Sequence, residues 1–177
     1  MIYSLVSHPE HRPVAVESVS VRAERHPEGR LWLEYAVRGT KALVFPAQRA
    51  PERQDGLWKT TCFELFFRPD GGARYLEFNF SPSSAWAAYG FHDYRAGMHA
   101  LAADDPEIEI SLDADPWFFL AAEPWPAHLL SGRGALALTA VIEEVGGVKS
   151  YWSLAHPPGA PDFHHPACFA ARLPAPA

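Results

Sequence analysis

The sequence lacks any apolar run of the ~18 uninterrupted residues that a membrane helix requires. Residues 1–13 also lack the cationic start and the apolar stretch of a signal peptide. Cysteine is scarce, because only Cys62 and Cys168 are present, far apart and without a CxxC pattern. These absences predict a soluble, cytoplasmic protein that does not enter membranes and whose two thiols are reduced and buried.

Positive charge is in short supply as well. Lysine and arginine number 15 against 21 aspartate and glutamate residues, which gives a net charge of -6 at pH 7. This balance predicts no binding to nucleic acid or to an anionic membrane surface. Enzyme signatures are also missing: the chain contains no GxSxG, GxGxxG or P-loop motif. The sequence therefore favours a protein without catalytic activity.

The composition is typical of one folded β domain. A chain of 177 residues can bury a core as a single domain, residues 1–177. Hydrophobic residues make up 48% and aromatic residues 13%, which argues against disorder. The 17 prolines are excluded from helix interiors and central strands, so they require many turns and edges. We therefore predict an all-β fold.

Residues 57–95 carry the clearest strand pattern. Side chains there can be sorted into two faces with a period of two, which is typical of β-strands. Turn-forming residues, RPDGG and SPSS, separate the alternating segments. The pattern predicts a meander with strands at 58–68, 73–81 and 85–94.

Polar groups fall on one face of this meander. Glu64 alternates with an apolar row of the first strand, and Glu77 and Asn79 share one face of the second. A carboxylate or amide in such aromatic surroundings must find a partner or serve a ligand. Both outcomes stay open from the sequence.

Shorter alternating segments predict the remaining strands, at 14–25, 31–38, 107–112, 117–123, 134–144, 149–155 and 168–173. Segment 134–144 has helix propensity, but its alternation and the following Gly-Gly turn favour a strand. Residues 96–106 have room for one helical turn, and residues 124–130 break a strand or begin a brief helix. With about nine or ten strands and no βαβ alternation, we predict a two-layer antiparallel β-sandwich.

Several blocks lie along the chain in a characteristic order: LW at 57–58, CFE at 62–64, EFNFSP at 77–82, YW at 151–152 and PDFH at 161–164. In this order they resemble the DOMON-like proteins related to family-9 carbohydrate-binding modules. The likeness spans residues 3–173. It implies an immunoglobulin-like or jelly-roll β-sandwich with a ligand site on a concave face or rim, and it implies no known reaction.

The resemblance also implies particular ligand-binding residues. In family-9 modules two tryptophans clamp a sugar, and an acid on the central strand bonds its hydroxyls. Trp58 and Glu64 match the first tryptophan and the acid, Trp152 matches the second tryptophan, and we expect Asn79 and Arg95 to assist. The chemistry is sound, because the C–H faces of a pyranose pack on indole rings while its hydroxyls need fixed acceptors and donors. The predicted function is non-catalytic binding of a carbohydrate or sugar-like metabolite.

A purely structural role is the alternative for each of these residues. Either tryptophan is as readily a packing residue of the core or rim. A buried ion pair with Arg95 or Arg68 explains Glu64 without a ligand. Asn79 equally ties down a neighbouring loop.

A second hypothesis is a small metal-dependent enzyme. His156, Asp162 and His164 are close in sequence, and imidazole with carboxylate suits zinc or iron. Against this hypothesis, adjacent residues of a strand point to opposite faces, so His164 and His165 could not both bind one ion. The alternative is that Asp162 fixes a loop.

Other cofactors and functions have weaker support. Some DOMON relatives hold haem through a methionine and a histidine, but nothing pairs Met98 with a particular histidine. Family-9 modules are associated with calcium, yet no DxDxDG-type loop is present. We therefore predict no cofactor. Glu64 and Glu77 form a possible glycosidase-like pair, and an aromatic surface for protein interaction, including a homodimer, is a third possibility.

Overall fold

The structure is a computed structural model that describes residues 1–26, 30–112, 117–123, 130 and 132–174. Short 3-10 helices occur at Leu57–Lys59 and Pro166–Cys168. No α-helix occurs in the described ranges, and none of their helices has the length and apolar character needed to cross a membrane. The strands are β1 Ile2–Ser7, β2 Ser18–Arg25, β3 Leu31–Arg38, β4 Glu52–Arg53, β5 Cys62–Pro69, β6 Tyr75–Phe80, β7 Ala85–Phe91, β8 His99–Ala100, β9 Glu107–Leu112, β10 Trp117–Glu123, β11 Gly134–Glu144, β12 Val148–Ser153 and β13 Ala171–Leu173.

The strands form one mixed sheet. Its order is β4-β7-β6-β5-β11-β12-β1-β2-β3-β10-β9, with β8 beside β7 and β13 beside β11. The short β4 pairs with β7 in parallel, and the other described pairings are antiparallel. The meander β5-β6-β7 therefore lies in one half of the sheet and β2-β3-β10-β9 in the other, with β1 joining the halves.

The sheet curls strongly, so that its two halves pack against each other. Tyr35 on β3 and Phe63 on β5 are distant in the strand order, yet their ring centroids are 5.0 Å apart. The Tyr35 hydroxyl also donates a 2.6 Å hydrogen bond to the backbone oxygen of Glu64. The main core fills the space inside the curl.

Both faces of the central strands are buried. The inward rows join the main core: Phe63, Leu65, Phe67, Phe78, Phe80, Leu136, Leu138, Ala140 and Ile142. The outward rows form a second apolar cluster with residues of the covering loops: Leu57, Cys62, Phe66, Tyr75, Tyr89, Phe91, Ala137, Val141, Phe163, Cys168 and Phe169. The predicted alternation in β5 and β6 is confirmed, and so are the two buried, unbridged thiols.

The prediction of an all-β protein is confirmed, while the arrangement as a two-layer sandwich stays a prediction beside the observed curled sheet. The strand predicted at 134–144 is confirmed. The helical turn allowed at 96–106 is wrong, because His99 and Ala100 form β8 against β7. The break or helix at 124–130 falls outside the described residues, except Leu130.

Two features at the amino terminus differ from the prediction. The strand predicted at 14–25 begins at Ser18, because the backbone amides of residues 14–16 bind the Glu144 carboxylate instead of a neighbouring strand. Strand β1 was not predicted. Its outward positions Ile2 and Val6 are apolar but exposed, which blurs the alternation.

Candidate ligand-binding site

A cavity of about 340 Å³ opens on the outward face of the meander, the face turned away from the main core. Strands β5, β6 and β7 form its base, and loops from residues 92–98 and 161–164 stand over it. Its lining residues are Trp58, Glu64, Phe66, Glu77, Tyr89, Phe91, Arg95, Met98, Val141, Tyr151, Pro161, Phe163 and His164.

Two carboxyl groups lie at the base of the cavity. Glu64 is opposite Asn79 in the strand register, and Glu77 is opposite Phe66, so the two acids are diagonal neighbours on β5 and β6. Only 3% of Glu64 and 5% of Glu77 are exposed. Thr139 donates a 3.1 Å hydrogen bond to Oε2 of Glu64, and Asn79 donates a 2.7 Å hydrogen bond to Oε1 of Glu77.

Burial disfavours the charged form of both acids. It raises the pKa of Glu64 well above its usual range, and the nearby Glu77 carboxylate raises it further. Burial also raises the pKa of Glu77 to about 7, against the lowering effect of the hydrogen bond from Asn79. Near neutral pH the pair therefore retains at least one proton, which gives the base of the cavity a donor as well as acceptors.

His164 stands beside the acids as a neutral imidazole. Burial lowers its pKa to about 4. The Tyr75 hydroxyl accepts a hydrogen bond from the Arg95 amide, so its own proton is available to Nδ1 of His164, 2.8 Å away. We assign the histidine proton to Nε2 on this basis. This nitrogen lies 3.8 Å from Oε2 of Glu77, beyond hydrogen-bond distance.

An ion pair ties together the loops above the cavity. Arg95 Nε and Nη2 donate to Oδ1 of Asp162 at 3.1 and 2.7 Å, and the Tyr94 hydroxyl donates to the other oxygen. The backbone of Arg95 has a φ of 50°, the left-handed region, where the Tyr75 contact with its amide holds it. Asp162 also accepts from the amide of His164, so one carboxylate positions both the guanidinium and the imidazole.

Aromatic rings form the walls. Trp58 is 41% exposed at the mouth, and its ring meets that of Tyr89 edge to face at 6.4 Å. Tyr151 and Phe163 form another part of the wall, with ring centroids 6.1 Å apart. Met98 is 55% exposed and also lines the cavity. Exposed apolar side chains thus surround an opening whose base is polar.

The cavity brings together three of the predicted ligand-binding residues: Trp58, Glu64 and Arg95. Asn79 is fully buried beside the base and reaches Glu77. The ion pair considered for Glu64 does not form, because Arg95 binds Asp162 and the Arg68 guanidinium stacks 4.8 Å from the Phe169 ring.

The position of Trp152 corrects the prediction of a second tryptophan wall. Trp152 lies 4% exposed in the main core and donates a hydrogen bond to Ser150, so it does not line the cavity. Its neighbour Tyr151 is opposite Val141 on the outward face and lines the cavity instead. Adjacent residues of a strand point to opposite faces. The sequence alone therefore does not show whether Tyr151 or Trp152 points into the core.

The structure does not bring His156, Asp162 and His164 together as a group of metal ligands. No three histidine, cysteine or acidic residues in the described part of the chain are placed to hold a metal ion. The His156 ring contacts the backbone oxygen of Val6 at 2.9 Å instead, and Asp162 fixes the loop.

Several site residues were not predicted as ligand-binding residues. Glu77 could have been found from its alternation, since it shares a face with Asn79 in β6. The roles of Tyr75, Tyr151 and His164 depend on contacts between distant segments, for which no local pattern exists.

A solved structure shares this fold. The crystal structure of a proposed carbohydrate-binding protein from Bacteroides uniformis ATCC 8492, at 2.70 Å resolution, matches with a TM-score of 0.62. The match covers 95% of this chain and 83% of that chain at 18% sequence identity, so the likeness shows the fold alone. No protein-family model matches the sequence, and no curated protein is detectably related.

Proposed function

We propose that the chain is a non-catalytic module that binds a saccharide in this cavity. The observation that carries the proposal is a buried carboxyl pair, Glu64 and Glu77, at the base of an opening bordered by the exposed ring of Trp58. The partly exposed indole offers an apolar face to a ligand, and buried acids are costly unless they are bonded. A saccharide satisfies both, since it is apolar on its faces and polar at its edges.

The chemistry of the base suits neighbouring hydroxyl groups. An acid pair that retains a proton offers one donor and several acceptors, and each sugar hydroxyl needs both. The rings of Trp58 and Tyr151 supply surfaces for C–H faces. The cavity volume of about 340 Å³ lies at the small end of the ~300–1,000 Å³ typical of ligand pockets, which suits a single sugar ring or the end of a chain.

The finer assignment, a DOMON-like β-sandwich related to family-9 carbohydrate-binding modules, is part of the same proposal. Trp58 and Glu64 support it, since both line the cavity. The B. uniformis protein, which shares the fold, is itself proposed to bind carbohydrate. Trp152 departs from the pattern, and Tyr151 takes the place of the second ring. A cytoplasmic location and a homodimer stay proposals as well, to be tested by cell fractionation and light scattering.

Removing the exposed indole is expected to weaken saccharide binding. Isothermal titration calorimetry against a panel of mono- and disaccharides should identify a ligand for the unmodified protein. In Trp58→Ala the dissociation constant for that ligand should rise roughly 10- to 100-fold, because the loss of a stacking ring costs on the order of 1–3 kcal/mol.

The matched control is Trp32→Ala, since Trp32 is half-buried on β3, in the other half of the sheet. This variant should bind the ligand with unchanged affinity. Equal losses in both variants would contradict a role for Trp58, and a protein that binds no member of the panel would contradict the proposed function.

A further inference from the structure

The acid pair of the cavity has no cation directed at it from the described part of the chain. Arg95 lines the cavity, and two of its nitrogens donate to Asp162. His164 receives the Tyr75 hydroxyl at Nδ1 and is held neutral by burial. Arg95 favours the charged form of Glu77 through space and lowers its pKa, but no described cationic side chain donates a hydrogen bond to either acid.

Each acid also keeps one oxygen free. Thr139 bonds Oε2 of Glu64, and no described residue donates to Oε1. Asn79 bonds Oε1 of Glu77, and Oε2 has only the distant His164 at 3.8 Å. Both side chains are more than nine-tenths buried and both line the cavity, so the free oxygens are left for a bound molecule.

We infer that the ligand is an amino sugar whose protonated amine binds the free oxygens of Glu64 and Glu77. This inference rests on the proposed saccharide function and names the class of saccharide. An ammonium group carries up to three donors and one positive charge, so it bonds both oxygens and offsets the negative charge that the acids develop when they ionise. A hydroxyl supplies one donor and no charge. An anionic sugar brings a further negative charge to the buried acids and should be rejected.

The remaining features of the cavity agree with a sugar that carries the amine. A bare amine needs only the acids, whereas the rings of Trp58 and Tyr151 require apolar faces to pack against. At the mouth, the Arg95 guanidinium is paired with the Asp162 carboxylate at 2.7 Å, so its charge is partly compensated.

The test compares sugars that differ in one group. Calorimetry at about pH 6.5 should use glucose with 2-amino-2-deoxyglucose, glucose with 6-amino-6-deoxyglucose, and galactose with 2-amino-2-deoxygalactose. In at least one pair the amino sugar should bind roughly tenfold or more tightly than its parent. N-Acetylglucosamine, which lacks the charge, and glucuronate, which reverses it, should lose that gain.

A variant separates the acids from the rest of the site. Glu77→Gln should reduce the ratio of the two affinities, amino sugar to parent sugar, to less than about threefold, whatever the change in affinity for the parent sugar. Glu109→Gln makes the same change at an exposed position on β9, in the other half of the sheet, and should keep the full preference. Because the comparison of sugars in the unmodified protein stands by itself, a poorly folding variant does not remove the test.

Failure of the inference and failure of the proposed function give different results. Equal affinity for amino and parent sugars in every pair would overturn the amine assignment and leave saccharide binding intact. Methylammonium binding as tightly as the amino sugars would overturn the amino-sugar assignment. Absence of binding to every sugar would overturn both.

Discussion

Glu77→Gln is expected to stabilise the folded protein by about 3 kcal/mol above pH 7 and to leave its stability unchanged near pH 4. Burial raises the pKa of Glu77 from an ordinary 4.5 to about 7. Each pKa unit corresponds to about 1.4 kcal/mol, so ionising this buried group in the native state costs on the order of 3 kcal/mol. Glutamine keeps the shape and accepts the bond from Asn79 without ionising.

The sign of the pH dependence follows from proton counts. Between pH 4.5 and about 7 the folded protein holds a proton on Glu77 that the unfolded chain has released, so stability of the unmodified protein falls as pH rises through this window. The glutamine variant does not lose this stability. The difference in the free energy of unfolding between the two proteins therefore grows from pH 4.5 to about 7 and is constant above that. His164, with its pKa lowered to about 4, titrates in the opposite direction but is present in both proteins and cancels in the difference.

Urea unfolding at several pH values between about 4 and 8 measures this difference. The control is Glu109→Gln at an exposed position, which should change the free energy of unfolding by less than about 0.5 kcal/mol. A Glu77→Gln variant that is less stable than the unmodified protein at pH 8 would show that the buried carboxylate is well paired, contrary to the geometry at the base of the cavity.

A gain in stability together with a loss of amine preference would identify Glu77 as a residue retained for binding. Proteins commonly sacrifice stability where a site must meet a ligand. Thr139 and Asn79 each donate a hydrogen bond to one of the two carboxyl oxygens of an acid. These bonds reduce the free-energy cost of burying the acids but do not remove it. A purely structural acid would have both oxygens bonded, as Glu144 has.

The sequence was informative where local periodicity decides the outcome. Alternation in residues 62–80 predicts that Glu64, Glu77 and Asn79 share one face of the meander, because a strand has a strict period of two. Periodicity failed at Tyr151 and Trp152, where two adjacent aromatic residues fit either face equally well. The face is decided there by pairing of β12 with β11, which depends on distant residues.

Contacts between separate loops were beyond the reach of any local pattern. Arg95 and Asp162 lie 67 residues apart, and Tyr75 reaches His164 across 89 residues. The same histidine and aspartate suggested a metal site because they are close in sequence. Asp162 instead holds the 92–98 loop over the cavity through Tyr94 and Arg95, and the His164 ring bonds the Tyr75 hydroxyl.

Glu144→Ala is expected to lower the free energy of unfolding by roughly 3–5 kcal/mol, the largest loss among the variants considered. The carboxylate is 1% exposed and accepts backbone hydrogen bonds from three successive residues, at 2.8 Å from Val14, 2.5 Å from Ala15 and 3.2 Å from Val16. Alanine leaves these amides without an acceptor and opens a void beneath them.

Glu143→Ala is the matched control for this loss, since Glu143 is the adjacent residue of β11 and lies half-buried with its side chain on the other face. Its cost should stay below about 1 kcal/mol. Glu144→Ala should also weaken saccharide binding, because the amino-terminal segment contacts Tyr151 of the cavity wall. The ring centroids of His11 and Tyr151 are 5.0 Å apart, and the His8 amide donates to the backbone oxygen of Tyr151. Urea unfolding of both variants, with saccharide affinity measured on each, separates the two effects. Equal stabilities would show that residues 14–16 find other acceptors when the carboxylate is removed.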